Sequence, residues 1–220
     1  DGILPEAMLN FLAQLGWNDG TEQDIFTKEE LIEKFSLDRV QKSGARFDEQ
    51  RLLWLNGQWI RRISLDDLFN RVKDFWGESA QNANEEYKKE VLGLVFDRLK
   101  TLKDLPLASD YFFAEQNPDL EMISKNKQLK KLEKSQLLDL LEKSIDKFEK
   151  VEDWNDDELQ ESLNQLLEET GQKPGILFQI IRISLTWAPF SPALNQTLRV
   201  IGKNESIKRL KNSFREIEKM

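Results

Sequence analysis

Neither cysteine nor histidine occurs among the 220 residues. Without thiols there is no disulfide and no thiolate metal site. Without imidazole, the commonest general base and the commonest transition-metal ligand are gone. Apolar runs are short, none approaching the ~18 residues of a membrane helix, and the start carries no signal-peptide pattern. The glycine patterns of phosphate loops, nucleophile elbows and dinucleotide sites are missing as well. No catalytic constellation is left, and no metal site is expected. The carboxylate run DWNDDE reads as a helix N-terminus. The chain opens at Asp1 with no initiator methionine, which suggests a fragment of a longer polypeptide, and the cytoplasm is the expected compartment.

What remains is a helical composition. Hydrophobic residues make up 39% and charged residues 33%, the balance of a soluble globular protein long enough for one large domain or two to three small ones. The net charge of −8 argues against indiscriminate nucleic-acid binding, but it is unevenly spread. Eight cations face eleven carboxylates over residues 1–64, thirteen over 65–126 and thirteen over 127–174, whereas over 175–220 eight cations face three. The last segment alone is basic.

Helix punctuation is frequent. Pro5 opens an apolar period through Met8, Leu9, Phe11, Leu12 and Leu15 that Gly16 stops. Thr27 with Glu30 has capping-box spacing, and Asp48 and Ser64 precede further helices as caps. A long pattern predicts one helix from about Glu85 to Leu105. The Lys/Glu-rich stretch beginning at Ser124 predicts two helices with solvated faces. Asn155 starts another helix that Gly171 ends, followed by helices from Gly175 to about Thr186, Pro192 to Ile201 and Glu205 to about Lys219. Strand alternation is nearly absent and no repeat is evident. The fold class is all-α.

Two places break the core-in, polar-out pattern. Arg98 falls on the apolar stripe Val91, Leu94, Val95, Leu102 and Leu105 of the long predicted helix. A guanidinium there needs a partner, either an internal carboxylate or a ligand's base edge or phosphate. In GILFQIIRISLTW nearly every position is apolar, and Gln179, Arg182 and Thr186 share one polar stripe. Trp187, Pro189 and Phe190 follow, then Ser191 as expected cap and Pro192 as first helical residue, ahead of Leu194. Donors, aromatics and a helix N-terminus in the basic segment suit unpaired RNA bases, which stack on rings or guanidinium planes and bond through exposed edges. The alternative is a helix–helix corner with Trp187 and Phe190 as core.

The motifs GILPEAMLNFLAQLGW, DIFTKEELIEKFSLDRV, FDEQRLLWLNGQWIR, RLKTLKDLP and GILFQIIRISLTWAPFSPALNQTLRVIG, in that order, closely resemble bacterial glutamyl-tRNA synthetase beyond its active-site signature loop. Residues 107–150 match weakly. The resemblance implies a helical stem-contact domain (1–64) and two helical anticodon-binding modules (65–126 and 127–220). It implies tRNA(Glu) as partner, with no membrane or DNA partner and a monomeric state. ATP and Mg would belong to the parent enzyme's catalytic domain, no cofactor being expected in this fragment, which alone should not activate glutamate. Arg98 matches the arginine that reads the third anticodon base in discriminating members. Gln179, Arg182 and Trp187 match the family's QPLR-x-x-LTG segment, with Arg182 at the anticodon-contacting arginine. Ser191, Pro192 and Leu194 match the turn lining the pocket for the first two anticodon bases. Ile180 and Trp187 depart from the family's usual Pro and Gly. The competing reading from another class is a protein-interaction scaffold built on the Lys/Glu-rich helices.

Overall fold

Local capping chemistry sets most element boundaries. The computed structural model describes residues 2–41, 44, 46–188 and 190–220. Among the described residues the chain forms twelve α-helices and several 3-10 turns. Among those residues the single β-type pairing is a bridge between Trp17 and Val40. The chain divides into two compact units, Asp1–Glu78 with Val95–Leu107, and Ser79–Leu94 with Ala108–Met220.

In the first unit, α1 (Pro5–Gln14) starts on a proline whose fixed φ suits a first turn. The expected Thr27/Glu30 capping box opens α2 (Lys28–Lys34), each residue satisfying the other's free amide. Asp48 and Ser64 cap α3 (Glu49–Ile60) and α4 (Leu65–Arg71) as their positions predicted. Phe11, Leu52 and Leu55 form one apolar cluster, and Trp17, Phe26 and Leu31 another. Arg71 of α4 reaches Asp67 and Glu6, and its hydrogen bond holds the Glu6 carboxyl below the usual range.

One buried amide ties this unit together. The Asn56 Oδ1 accepts from the Leu4 N–H at 2.7 Å, and its Nδ2 donates to the Lys100 carbonyl at 2.6 Å and to the Gly2 carbonyl at 3.3 Å. The Leu102 N–H also donates to the Gly2 carbonyl, at 2.9 Å. Gly2 has a φ of 80°, and a Cβ there would lie 2.8 Å from the Lys103 backbone nitrogen, so only glycine fits.

The long helix expected over 85–105 does not form. α5 (Glu85–Val95) gives way to a 3-10 turn at Phe96–Arg98, another at Leu102–Asp104, and then α6 (Leu105–Phe113). The Asp104 carboxylate accepts from the amides of Lys100 and Thr101 at 3.0 and 2.8 Å, and Pro106 follows inside the first turn of α6. Thr101-x-x-Asp104 before a proline is a helix start, and it outweighs the apolar period running across it.

In the second unit, the Lys/Glu-rich stretch forms one long helix rather than two. A short α7 (Glu121–Ser124) and a 3-10 turn at Leu129–Lys131 precede α8 (Lys134–Glu149). Asn126 accepts from the Gln128 and Leu129 amides at 2.9 and 3.1 Å and so favours a turn. Asn155 caps α9 (Asp156–Thr170), and Gly171 ends it at a φ of 63°, both as expected. α10 (Pro174–Thr186), α11 (Leu194–Ile201) and α12 (Lys203–Glu218) complete the bundle. α10 runs through its middle against α8, α9 and α12, burying Leu177, Ile180, Ile181, Ile183 and Leu185. Its near-continuous apolar sequence has this cause. Among the described residues no helix is long and apolar enough to cross a membrane.

Asn56→Ala would leave the buried Leu4 amide without its acceptor and free two carbonyls, lowering unfolding stability by about 3 kcal/mol in equilibrium denaturation. A loss below about 1 kcal/mol would show that the amide network is not structural.

Candidate nucleic-acid interface

Arg182 sits where the buried helix α10 reaches an edge. It is half-buried, and its Nε donates to Ser191 Oγ at 2.8 Å while Nη2 approaches the Pro192 carbonyl at 3.4 Å. Gln179, one turn earlier on the same face, is also half-buried. Phe190 is 38% exposed just beyond the helix. Thr186, the third member of the stripe, is buried and turns its hydroxyl back to the Arg182 carbonyl at 2.9 Å. The fold thus brings Gln179, Arg182, Ser191 and Pro192 together at one edge of the second unit. Pro189 lies outside the described residues.

Three expectations about this edge are corrected. Ser191 does not cap a helix, because α11 begins at Leu194 behind Ala193, with no side-chain cap. Ser191 is instead buried as the acceptor for Arg182, so no helix N-terminus opens at Pro192. Trp187 is not a stacking platform in this conformation. It is 7% exposed, and its Nε1 donates to Ser213 Oγ at 2.9 Å, which in turn donates to the Ser184 carbonyl at 2.6 Å. Leu194 is buried in the same core. The corner alternative therefore holds for Trp187, while Phe190 carries the exposed ring.

Trp187 also occupies an unusual backbone state. Its φ and ψ of 42° and 41° are left-handed, where it caps α10, and among the described residues it is the non-glycine residue with positive φ. That conformation costs about 1–2 kcal/mol for a residue with a Cβ, and burial of the indole with a satisfied N–H offsets it. This is the position where the resemblance leads one to expect glycine.

Arg98 belongs to the first unit. Its premise as a guanidinium trapped on an oily helix is corrected, because the 3-10 turn Phe96–Arg98 replaces the helix. Its side chain is 40% exposed, with Nε 4.0 Å from the Asp97 carboxylate. Exposure removes any structural need for a buried partner. Sequence reasoning did not anticipate its surroundings. Arg61 Nη1 donates to the Asp97 carbonyl at 3.0 Å, so exposed Arg61 sits against the turn that carries exposed Arg98 and leads to exposed Lys100. The signal available was the Arg61-Arg62 pair closing the apolar period of α3.

The positive excess of residues 175–220 is largely consumed within the second unit. Arg199 pairs with Glu90 and, at 2.9 Å, with Asp156. Lys208 meets Glu115 and Glu205, Arg209 meets Glu205, and Lys211 meets Glu149. Arg209 is 3% exposed and also donates to the Tyr111 carbonyl at 2.5 Å. Arg199 and Lys211 thus complement acids on other helices, Lys208 reaches Glu115 beyond its own helix, and Arg209 pairs within α12. Two open clefts in this unit, of about 310 and 710 Å³, are lined by mixed charges including Glu142, Lys211, Arg215 and Glu216. Neither includes a residue selected from the sequence.

An all-α chain with an arginine held at a bundle edge is the class of structure onto which the sequence comparisons fall. The chain belongs to the anticodon binding domain family, whose pattern covers residues 67–214. Residues 1–54 match a second family, the class I tRNA synthetases (E and Q), catalytic domain. A glutamate–tRNA ligase of Bacillus subtilis is 32% identical over 218 residues, 96% of this chain and 44% of that protein. One from Roseiflexus sp. is 35% identical over 216 residues, 95% of this chain and 42% of that protein. The solved structure of a glutamate tRNA ligase from Elizabethkingia meningosepticum superposes with a TM-score of 0.82 at 25% identity, over 98% of this chain and 42% of that one. The chain thus spans less than half the length of these relatives.

Trp187→Gly would relieve the left-handed strain but empty a core position, where loss of a buried aromatic costs about 3–5 kcal/mol. The expected net loss is about 2–3 kcal/mol in chemical denaturation. A neutral or stabilising result would show that the indole contributes little to packing.

Proposed function

We infer that this chain is the tRNA-reading part of a glutamate–tRNA ligase, whose whole enzyme joins glutamate to tRNA(Glu) using ATP and Mg in a nucleotide-binding catalytic domain. The observation that carries this reading is Arg182, held at a bundle edge by Ser191 beside an exposed Phe190, inside the span matching the anticodon binding family. The proposed division is a stem-contact domain over 1–64 and anticodon modules over 65–126 and 127–220. The chain acts as a monomer in the cytoplasm and does not activate glutamate by itself.

Recognition follows from how little freedom the site allows. The Ser191 and Pro192 oxygens fix the plane of the Arg182 guanidinium, so its face is set as a stacking surface before any base arrives. A preset plane loses less side-chain entropy on binding than a free one. Phe190 offers a second face, and the Gln179 amide can both donate to and accept from a base edge. Arg98, exposed on its turn, is assigned the third anticodon base, with a guanidinium fork suited to paired acceptors. Arg61, Arg62 and Lys100 are assigned to phosphates, which set register and make binding salt-dependent.

Arg182→Gln is expected to weaken binding of tRNA(Glu) at least about tenfold while costing about 1–2 kcal/mol of stability and no helical content. Unchanged affinity in filter binding would remove Arg182 from the interface, and a collapsed circular-dichroism melt would make it structural. Arg98→Gln should reduce discrimination between Glu-type and Gln-type anticodons by about 1–3 kcal/mol, the magnitude of a paired base-edge contact. Equal loss for both RNAs would leave Arg98 as a phosphate contact only.

A further inference from the structure

A glycine inside a helix is destabilising relative to alanine, so a buried one there has to supply something else. Gly57 lies buried in α3, one turn before the helix ends. What it supplies is space. A Cβ at this position would stand 3.3 Å from the Leu99 carbonyl oxygen and 3.4 Å from both Nη atoms of Arg61. Two groups therefore close in on the bare helix backbone. One is the segment that carries Arg98, and the other is the guanidinium of Arg61, the residue that caps the C-terminus of α3.

The same guanidinium restrains that segment. Arg61 Nη1 donates to the Asp97 carbonyl at 3.0 Å. This carbonyl and the Arg98 N–H belong to one planar peptide, so the bond orients the plane entering the Arg98 Cα. The plane leaving it is oriented by the Leu99 N–H, which donates to the Phe96 carbonyl at 3.2 Å. With both planes set, the direction of the Arg98 Cα–Cβ bond is set as well. Beyond Arg98, the fully buried Leu99 side chain and the Asn56 bond to the Lys100 carbonyl at 2.6 Å hold the chain against α3. The Arg98 side chain itself stays 40% exposed. A fixed backbone thus carries an exposed guanidinium.

We propose that Gly57 and Arg61 form a seat on α3 for the Arg98 turn, which makes Arg61 a positioning residue for discrimination at the third anticodon base. The proposal rests on the base-reading role given to Arg98 above. A paired contact to a base edge needs its supports to hold the geometry within about 0.5 Å. The Arg61 bond is made by an exposed side chain, so it can be removed without opening the core. This action through the backbone is separate from the phosphate contact also assigned to Arg61, and the two predict different losses. A lost phosphate contact weakens binding of every tRNA alike, whereas a displaced Arg98 narrows the gap between right and wrong anticodons.

The test compares affinities for tRNA(Glu) and for the same tRNA with a Gln-type third anticodon base. Arg61→Ala, Arg98→Gln and the double variant would be measured, with Arg62→Ala as control. Arg61→Ala is expected to shrink the ratio of the two affinities at least about threefold, the low end of couplings within one contact network. It should shrink the ratio no further once Arg98 is replaced, and Arg62→Ala should weaken both RNAs equally. An unchanged ratio in Arg61→Ala, or ratio losses that add in the double variant, would overturn the proposal. Backbone hydrogen exchange over residues 96–100, read by peptide mass spectrometry, gives a measure independent of RNA. Arg61→Ala should accelerate it and Arg62→Ala should not; the native rate in Arg61→Ala would also overturn the proposal. Gly57→Ala, whose methyl group would press on the Leu99 carbonyl, should reproduce the smaller ratio with the melting temperature unchanged or raised. A ratio lost only together with the melting temperature would mark a general loss of structure and count against the seat. Faster exchange in Arg61→Ala beside an Arg98→Gln variant that discriminates fully would defeat the functional reading alone.

Discussion

A helix buried on nearly every side can place a long cation only where its burial stops. α10 is such a helix, and Arg182 occupies its one edge with a partly exposed guanidinium. An arginine deeper in the bundle would cost several kcal/mol without compensating partners. At the edge, the Ser191 hydroxyl and the Pro192 carbonyl meet it, and they stand there because the chain reverses direction after Thr186. That reversal depends in turn on Trp187 accepting a left-handed backbone, which the Trp187–Ser213–Ser184 hydrogen bonds and core burial stabilise. The candidate recognition edge is thus a consequence of how one buried helix ends.

The same economy explains the charge distribution. A segment with eight cations and three carboxylates looks like a nucleic-acid surface when counted along the chain. In the bundle, α11 and α12 carry Arg199, Lys208 and Lys211 toward acids on other segments, Arg199 being held between Glu90 and Asp156. Exposed pairs of this type contribute little individually, but they neutralise what would otherwise be a strong local field. In the proposed function, specific recognition is then left to a few positioned groups rather than to net charge, as suits a protein that carries −8 overall.

Much of the architecture was legible because its signals are local. Thr27, Asp48, Ser64 and Asn155 each cap the helix their spacing announces, and Gly171 ends one in the left-handed conformation. Arg182 stood out for a reason that survives folding, as a cation on an otherwise apolar helix. Arg98 stood out for a reason that does not, since its helix is interrupted by the Thr101–Asp104 cap. Apolar spacing alone cannot tell a continuous stripe from two elements that happen to be in phase. Trp187 and Phe190 were indistinguishable as aromatics in one loop, yet one is core and the other surface.

Composition and periodicity by themselves determined the all-α class, the absence of thiol and imidazole chemistry, and the helix starts where a side chain a few residues away supplies the missing partner. Those properties depend on contacts within a turn or two, which the order of residues encodes directly. Tertiary structure alone decided which aromatic is buried, which cations are already paired, that Ser191 serves Arg182 rather than a helix end, and that Arg61 stands beside the Arg98 turn. Each of these is settled by groups far apart in the chain, and burial and charge pairing belong to the packed whole rather than to any one segment.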